Sequence, residues 1–258
     1  MVAIISIKET KSSWYSLERE VLESFYTEDI TDNQDKLHLA FLMVAKGYAR
    51  LSSQDMNFEH IYQELCQDEY YTHGLSKILL LSGYNPDTGR VEPLGTVRLV
   101  LASEQAQSLR LMPIEAMSLF SPINGWANYN FAGFNIKETA ELTRFAVTPF
   151  SKNGISKKIQ LSSLILNQLT RDAIQIAREK YYRSQTWAIL PRYIVKISEA
   201  LGITVIPCPE VTINYENCAA LVNTYNKYWL RSSPGFYKVL AEDLNMSYFT
   251  QINNSQQY

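Results

Sequence analysis

ELTRFAVTPFSKNGISKK, Glu141 to Lys158, reads as a strand, a short loop and the start of a helix. The strand runs from Glu141 to Val147 and ends at Pro149, which cannot donate to a ladder. Gly154 punctuates the loop. A helix is predicted from Ile155 to Tyr181, because Ile159, Leu164, Ile165, Leu169, Ala173, Ile176 and Ala177 recur at helical spacing. The loop amides and the helix N-terminus together offer a cradle for phosphate. Lys152, Lys157 and Lys158 sit at that N-terminus, where cations oppose the helix dipole. Either they are solvated surface lysines or an anion lies beside them.

Working outward, the upstream run Ile78–Leu81 and the stretch Gly95–Leu101 flank the turn Asn85-Pro86-Asp87-Thr88-Gly89 and predict a hairpin. Downstream, Thr186–Leu190 and Thr204–Pro207 read as strands. Between them a helix runs from Tyr193 to Leu201, with Pro191 at its start and Gly202 as its stop. Two longer helical patterns precede the hairpin: Trp14 to Phe25, and Asp35 to Leu51. A third, short one spans Phe58 to Cys66. Ile4–Ile7 reads as a first strand. The stretch Ala102–Glu138 is irregular but rich in apolar side chains, Trp126 among them, and suits either a cover for a greasy ligand or a loop laid on the core. The order of elements is mixed α/β, and one domain is expected over residues 1–258.

Composition narrows the function classes. Of 258 residues 46% are hydrophobic and 19% charged, with a formal net charge of -2, so no nucleic-acid footprint is expected. Cys66, Cys208 and Cys218 are too few and odd in number for a disulfide framework, and fit reduced thiols in a cytoplasmic protein. The N-terminus lacks a basic n-region, and no segment approaches the ~18 apolar residues of a membrane span. His38, His60 and His73 do not have metal-ligand spacing, so no metal is expected. The sequence contains no G-x-S-x-G, H-E-x-x-H or Walker-type loop.

Acyl transfer to an amine needs a base, and a buried glutamate can be tuned to serve. Glu141 is the candidate. Arg144 lies three residues on, and strand alternation sends the two to opposite faces unless a bulge lies between them. Arg98, between Val97 and Leu99 in the hairpin, needs a partner such as Asp68 or Glu69, or a ligand, if it is buried.

GTVRLV (Gly95–Val100), followed by ELTRFAV (Glu141–Val147) and a glycine-containing loop, resembles the GNAT superfamily. Within it the chain is similar to acyl-homoserine-lactone synthases and long-chain N-acyl amino acid synthases, whose strands read G-x-V-R-L and E-x-S/T-R-F/L-x-V. DEYY (Asp68–Tyr71) resembles their acidic D-E-Y-D stretch, and the resemblance runs from about His60 to Pro207. It implies a central twisted mixed sheet with helices on both faces, splayed open by a bulge in the Glu141–Val147 strand. It implies that Glu141 is the base or orients the base, with Arg144 and Thr143 in the catalytic group. Phe145, Ala146 and Val147 would line the pantetheine arm. Lys152, Asn153, Gly154, Ile155 and Ser156 would meet the phosphate, and Arg98, Asp68, Glu69 and Trp126 the acceptor side.

Two departures shape the expectation. The phosphate loop of GNAT acetyltransferases reads Q/R-x-x-G-x-G/A, whereas here it is Ser151 to Ser156, which favours an acyl carrier protein over CoA as donor. The last acid of D-E-Y-D is replaced by Tyr71. The expected activity is N-acylation of an amine, either a free amino acid or a Lys or Orn side chain of a peptide. The donor would be a medium- or long-chain acyl-CoA or acyl-carrier thioester. The alternatives are an acetyl-CoA-dependent acetyltransferase and a non-catalytic acyl-binding module.

Overall fold

The computed structural model describes residues 21–51, 58–101, 120–122, 138–148, 154–190, 192–200, 202–207, 211–213 and 235–241. The turn after Asn85 joins β2 (Ser76–Asn85) to β3 (Arg90–Leu101). Asn85 organises it: its side-chain oxygen accepts from the Asp87 N–H at 2.8 Å and its carbonyl from the Gly89 N–H at 2.8 Å. With β1 (Tyr26–Asp29), β5 (Thr139–Val147), β6 (Gln185–Leu190), β7 (Ile203–Pro207) and β9 (Gly235–Ala241), the hairpin forms a seven-stranded sheet. Its order is β1-β2-β3-β5-β6-β9-β7. The β5–β6 pair is parallel and the other neighbours are antiparallel. A separate pair joins β4 (Phe120–Pro122) to β8 (Val211–Ile213).

The β5-to-β6 crossover passes through α4 (Gly154–Glu179), whose apolar stripe covers one face of the sheet. Ile165, Leu169 and Ala173 meet Leu79, Leu81, Val97, Leu99, Ala140 and Leu142 there, and Val195 of α5 (Arg192–Ala200) joins them. The opposite face is covered by α1 (Gln34–Leu51) and α2 (Phe58–Cys66). Leu37, Phe41, Val44, Ile61 and Leu65 pack on Ile78, Leu80 and Ala146 there. The sheet is thus buried on both sides, which is why Ile78–Leu81 is an uninterrupted apolar run. A short helix, α3 (Glu69–Thr72), precedes β2. This is a mixed α/β fold with a central mixed sheet flanked by helices, consistent with GNAT architecture. No helix among the described residues is long and apolar enough to cross a membrane.

Gly95 shows how the first motif serves the fold. A Cβ there would stand 2.8 Å from Ile165 Cγ2, so the bare backbone lets α4 close on β3. Gly202, expected as a helix stop, adopts φ +79 just after α5. At the sheet edge, Asp29 ties β1 to the end of α4. Lys180 Nζ donates to it at 3.0 Å, Thr31 Oγ1 at 2.6 Å, and the Tyr181 hydroxyl also donates. Burial alone would raise the Asp29 carboxyl, but these donors outweigh it and hold it at about 2.

Sequence reading placed the hairpin, β5, α4, β6, α5 and β7 within a few residues and did not anticipate β1, β4, β8 or β9. The helix expected to reach Phe25 ends earlier, since Phe25 is no longer helical and Tyr26 opens β1. The expected strand Ile4–Ile7 lies outside the described residues. So does the expected irregular stretch from Ala102, apart from β4 and Glu138.

Candidate active site

The site is built around an irregularity in β5. Thr96 of β3 pairs with Ala146, and Arg98, two residues on, pairs with Thr143, three residues back. β5 therefore carries one extra residue between Thr143 and Ala146, a bulge. Arg144 lies in it with φ +56, a left-handed conformation that a non-glycine residue adopts at a cost. Ala140 and Leu142 face α4 before the bulge, and Phe145 and Val147 face α4 after it. The extra residue resolves the alternation problem. Glu141, Thr143 and Arg144 all belong to the α1 face, and the Arg144 guanidinium lies over the Tyr48 ring of α1 at 5.5 Å.

On the other side of β5 the sheet opens. The β5–β6 ladder runs from Thr139/Gln185 to Leu142/Ala188, and no further pair forms between these strands, although β5 continues to Val147 and β6 to Leu190. Phe145 and Val147 pack on the α4 side and Ala146 is buried on the α1 side, so β5 presents its backbone to the opening. Glu141 lies at the root of the opening, fully buried and paired with the equally buried Trp187 of β6.

Arg98 links this strand to α3. It is 6% exposed, its Nε donates to Thr143 Oγ1 at 2.8 Å and its Nη1 to Asp68 Oδ2 at 2.5 Å. The other Asp68 oxygen accepts from the Tyr71 N–H at 3.2 Å and caps α3. One carboxylate thus fixes both the helix and the buried guanidinium. Beside them lies a cavity of about 10 Å³, close to the room one water needs, with Arg98, Arg144, Thr96 and Asp68 in its wall. Tyr71, which stands where the resemblance has an acid, stacks edge-on against Phe41 at 5.5 Å and completes the apolar wall of the cavity.

The structure thus brings together Glu141, Thr143, Arg144, Arg98 and Asp68 around the bulge. Gly154 opens α4, and Ile155 and Ser156 follow in its first turn, their side chains outside the described residues. Lys152, Asn153, Trp126 and the Glu69 side chain also lie outside them. Sequence reasoning missed Tyr48, and Lys238 of β9, whose ammonium lies over the Trp187 ring at 5.9 Å. Tyr48 was legible only as one apolar position in a helical stripe, and Lys238 lies in a strand that the sequence did not signal. Among the described residues no cluster of His, Cys, Asp and Glu could hold a metal. His38 is bonded to the Tyr62 hydroxyl at 2.5 Å and His60 to Glu64 at 3.3 Å.

No protein-family model matches the chain, and no curated protein matches it. Solved structures do. An acetyltransferase from Streptococcus agalactiae 2603 is 13% identical, with 84% of this chain and 99% of that one covered and a TM-score of 0.41. FeeM, an N-acyl amino acid synthase from uncultured soil microbes, is 11% identical over 83% of this chain and 89% of that one, with a TM-score of 0.42. The AHL synthase LasI is 11% identical over 83% and 88%, with a TM-score of 0.41.

Proposed function

We propose that the chain, as one domain over residues 1–258, is an N-acyltransferase. It moves a medium- or long-chain fatty acyl group from a CoA or acyl-carrier thioester to an amine. The observation that carries this reading is the fully buried Glu141 at the root of the β5–β6 opening, with the bulge turning Arg144 to the same face. A thioester arm laid in the opening would bond to the β5 backbone, as a further strand would. Its phosphate would meet the start of α4, where Lys152, Asn153, Gly154, Ile155 and Ser156 lie in sequence.

In the proposed reaction the amine nitrogen attacks the thioester carbonyl carbon, and the carbonyl electron pair moves to oxygen. A backbone N–H near Ala146 or Val147 stabilises that oxyanion. Collapse breaks the carbon–sulfur bond, the thiolate takes a proton and the carrier leaves as a free thiol. Glu141 accepts the amine proton or orients the group that does. Arg98 holds Thr143 and Asp68 in register beside it.

Glu141→Gln tests this directly. Amide formation should fall by about 100-fold or more while donor affinity stays within a few-fold. Unchanged turnover would remove Glu141 from the chemistry. A second reading, an ordinary acetyltransferase, is favoured by one observation: the bulky Trp187 stands next to Glu141 on the same face and narrows the space there. Acetyl-CoA accepted in preference to longer acyl-CoA would select it.

A further inference from the structure

Two guanidinium groups, those of Arg98 and Arg144, share the wall of the cavity beside the bulge. Like charges so placed need negative charge or electron density close by. Asp68 supplies it for Arg98 and is committed there: one oxygen accepts from Arg98 Nη1 and the other from the Tyr71 N–H. Arg144 is held differently. Its Cζ lies 5.5 Å from the centroid of the Tyr48 ring, within cation–π range. An aromatic face holds a planar cation without taking its N–H donors, whereas a carboxylate takes them in pairs.

The way α1 crosses the sheet puts the ring in that place. Val44 of α1 lines the cavity and belongs to the same buried cluster as Ala146, the residue that closes the bulge. A Cβ on Gly47 would stand 3.9 Å from Ala146 Cβ, so α1 runs directly over the bulge. Tyr48 lies one helical turn beyond Val44 and reaches the residue inside the bulge. Arginine has much rotamer freedom to lose, and the ring on α1 limits it for a side chain that leaves β5 from a strained backbone.

We infer that Tyr48 is a positioning residue of the proposed reaction: its ring, and not its hydroxyl, holds the Arg144 guanidinium in place at the bulge for the chemical step. This rests on the N-acyltransferase reading and adds a residue of α1 to it. Tyr48 touches no reacting atom and acts only through Arg144. Loss of the ring therefore lowers kcat, leaves KM for the donor nearly unchanged, and has no further effect once the guanidinium is gone.

The test uses the full chain, tetradecanoyl thioesters of CoA and of an acyl carrier protein, and the protein amino acids and Nα-acetyl-lysine amide as acceptors, with thiol release as the readout. Tyr48→Phe keeps the ring and should hold kcat within about two-fold. Tyr48→Leu fills the same helix position without a π face and should lower kcat about 10-fold or more, with donor KM within about two-fold. In an Arg144→Met background Tyr48→Leu should change kcat by less than about two-fold, where a merely structural role would lower it in both backgrounds alike. Thermal unfolding makes the same comparison without turnover: the loss of Tm from Tyr48→Leu should be clearly smaller in the Arg144→Met background. A kcat that survives Tyr48→Leu, a fall in Tyr48→Phe equal to that in Tyr48→Leu, or equal losses in the two backgrounds would overturn the inference and leave the N-acyltransferase reading standing. No thiol release by the unaltered chain from either donor with any of these acceptors would remove that reading and the inference together.

Discussion

Glu141 and Arg144 stand on the same face of one strand although they are three positions apart, an odd spacing that a regular strand would send to opposite faces. The extra residue between Thr143 and Ala146 makes this possible, and Arg144 bears the conformational cost at φ +56. An arginine held in a left-handed conformation is kept for its side chain, since glycine would satisfy the backbone more cheaply.

That cost is measurable. Arg144→Gly should be more stable than Arg144→Ala by about 1 kcal/mol, because glycine alone takes the positive φ without penalty. Denaturant unfolding of the two variants checks this. Both should lose acyl transfer alike, since both lack the guanidinium. Equal stabilities would mean that the bulge relaxes once the arginine is gone.

Asp68 and Arg98 form a pair whose side chains are 14% and 7% exposed. Asp68→Ala leaves a buried guanidinium without its carboxylate and α3 without its cap, and should cost about 3–5 kcal/mol. Removing both charges with Asp68→Ala and Arg98→Met should cost clearly less than the sum of the single changes. A double-mutant cycle read by thermal unfolding decides this, and strict additivity would contradict the pairing.

Asp29 makes the acid limb of stability specific. Its carboxyl is held at about 2 in the folded chain against 3.8 when unperturbed, first against the effect of burial and then by Thr31, Tyr181 and Lys180. A depressed carboxyl contributes stability that is fully present above about pH 4 and is lost as pH falls through about 2. That contribution is about 1–2 kcal/mol once partial exposure is allowed for. Asp29→Asn should flatten the loss of stability between pH 4 and pH 2. A slope identical to that of the unaltered chain would show that other carboxylates set it.

Much of this was written in the local sequence. Apolar spacing, the Asn85–Gly89 turn and Gly202 fixed α4, α5 and the hairpin, because each depends on contacts close in sequence or on backbone conformation. β1 was missed because Tyr26-Thr27-Glu28-Asp29 is polar, and it is a strand only through pairing with β2 some fifty residues away. β9 was missed for the same kind of reason, since its place between β6 and β7 is set by those neighbours. In the site, Glu141, Arg144 and Arg98 could be named from residue type and spacing. From the residues alone the bulge could be posed only as a condition, since no single residue announces it, and it was the resemblance that implied it. The partner of Arg98 was open between Asp68 and Glu69, and Asp68 reaches it, while the Glu69 side chain lies outside the described residues. Tyr48 became visible only when α1 was laid over the bulge.

The most direct test of the central claim is thermal stability of the full chain against acyl thioesters of increasing length, from acetyl-CoA to long-chain acyl-CoA, with the same acyl groups on an acyl carrier protein. The account predicts that stabilisation grows with acyl length on at least one of the two carriers. No stabilisation by any thioester on either carrier would contradict it.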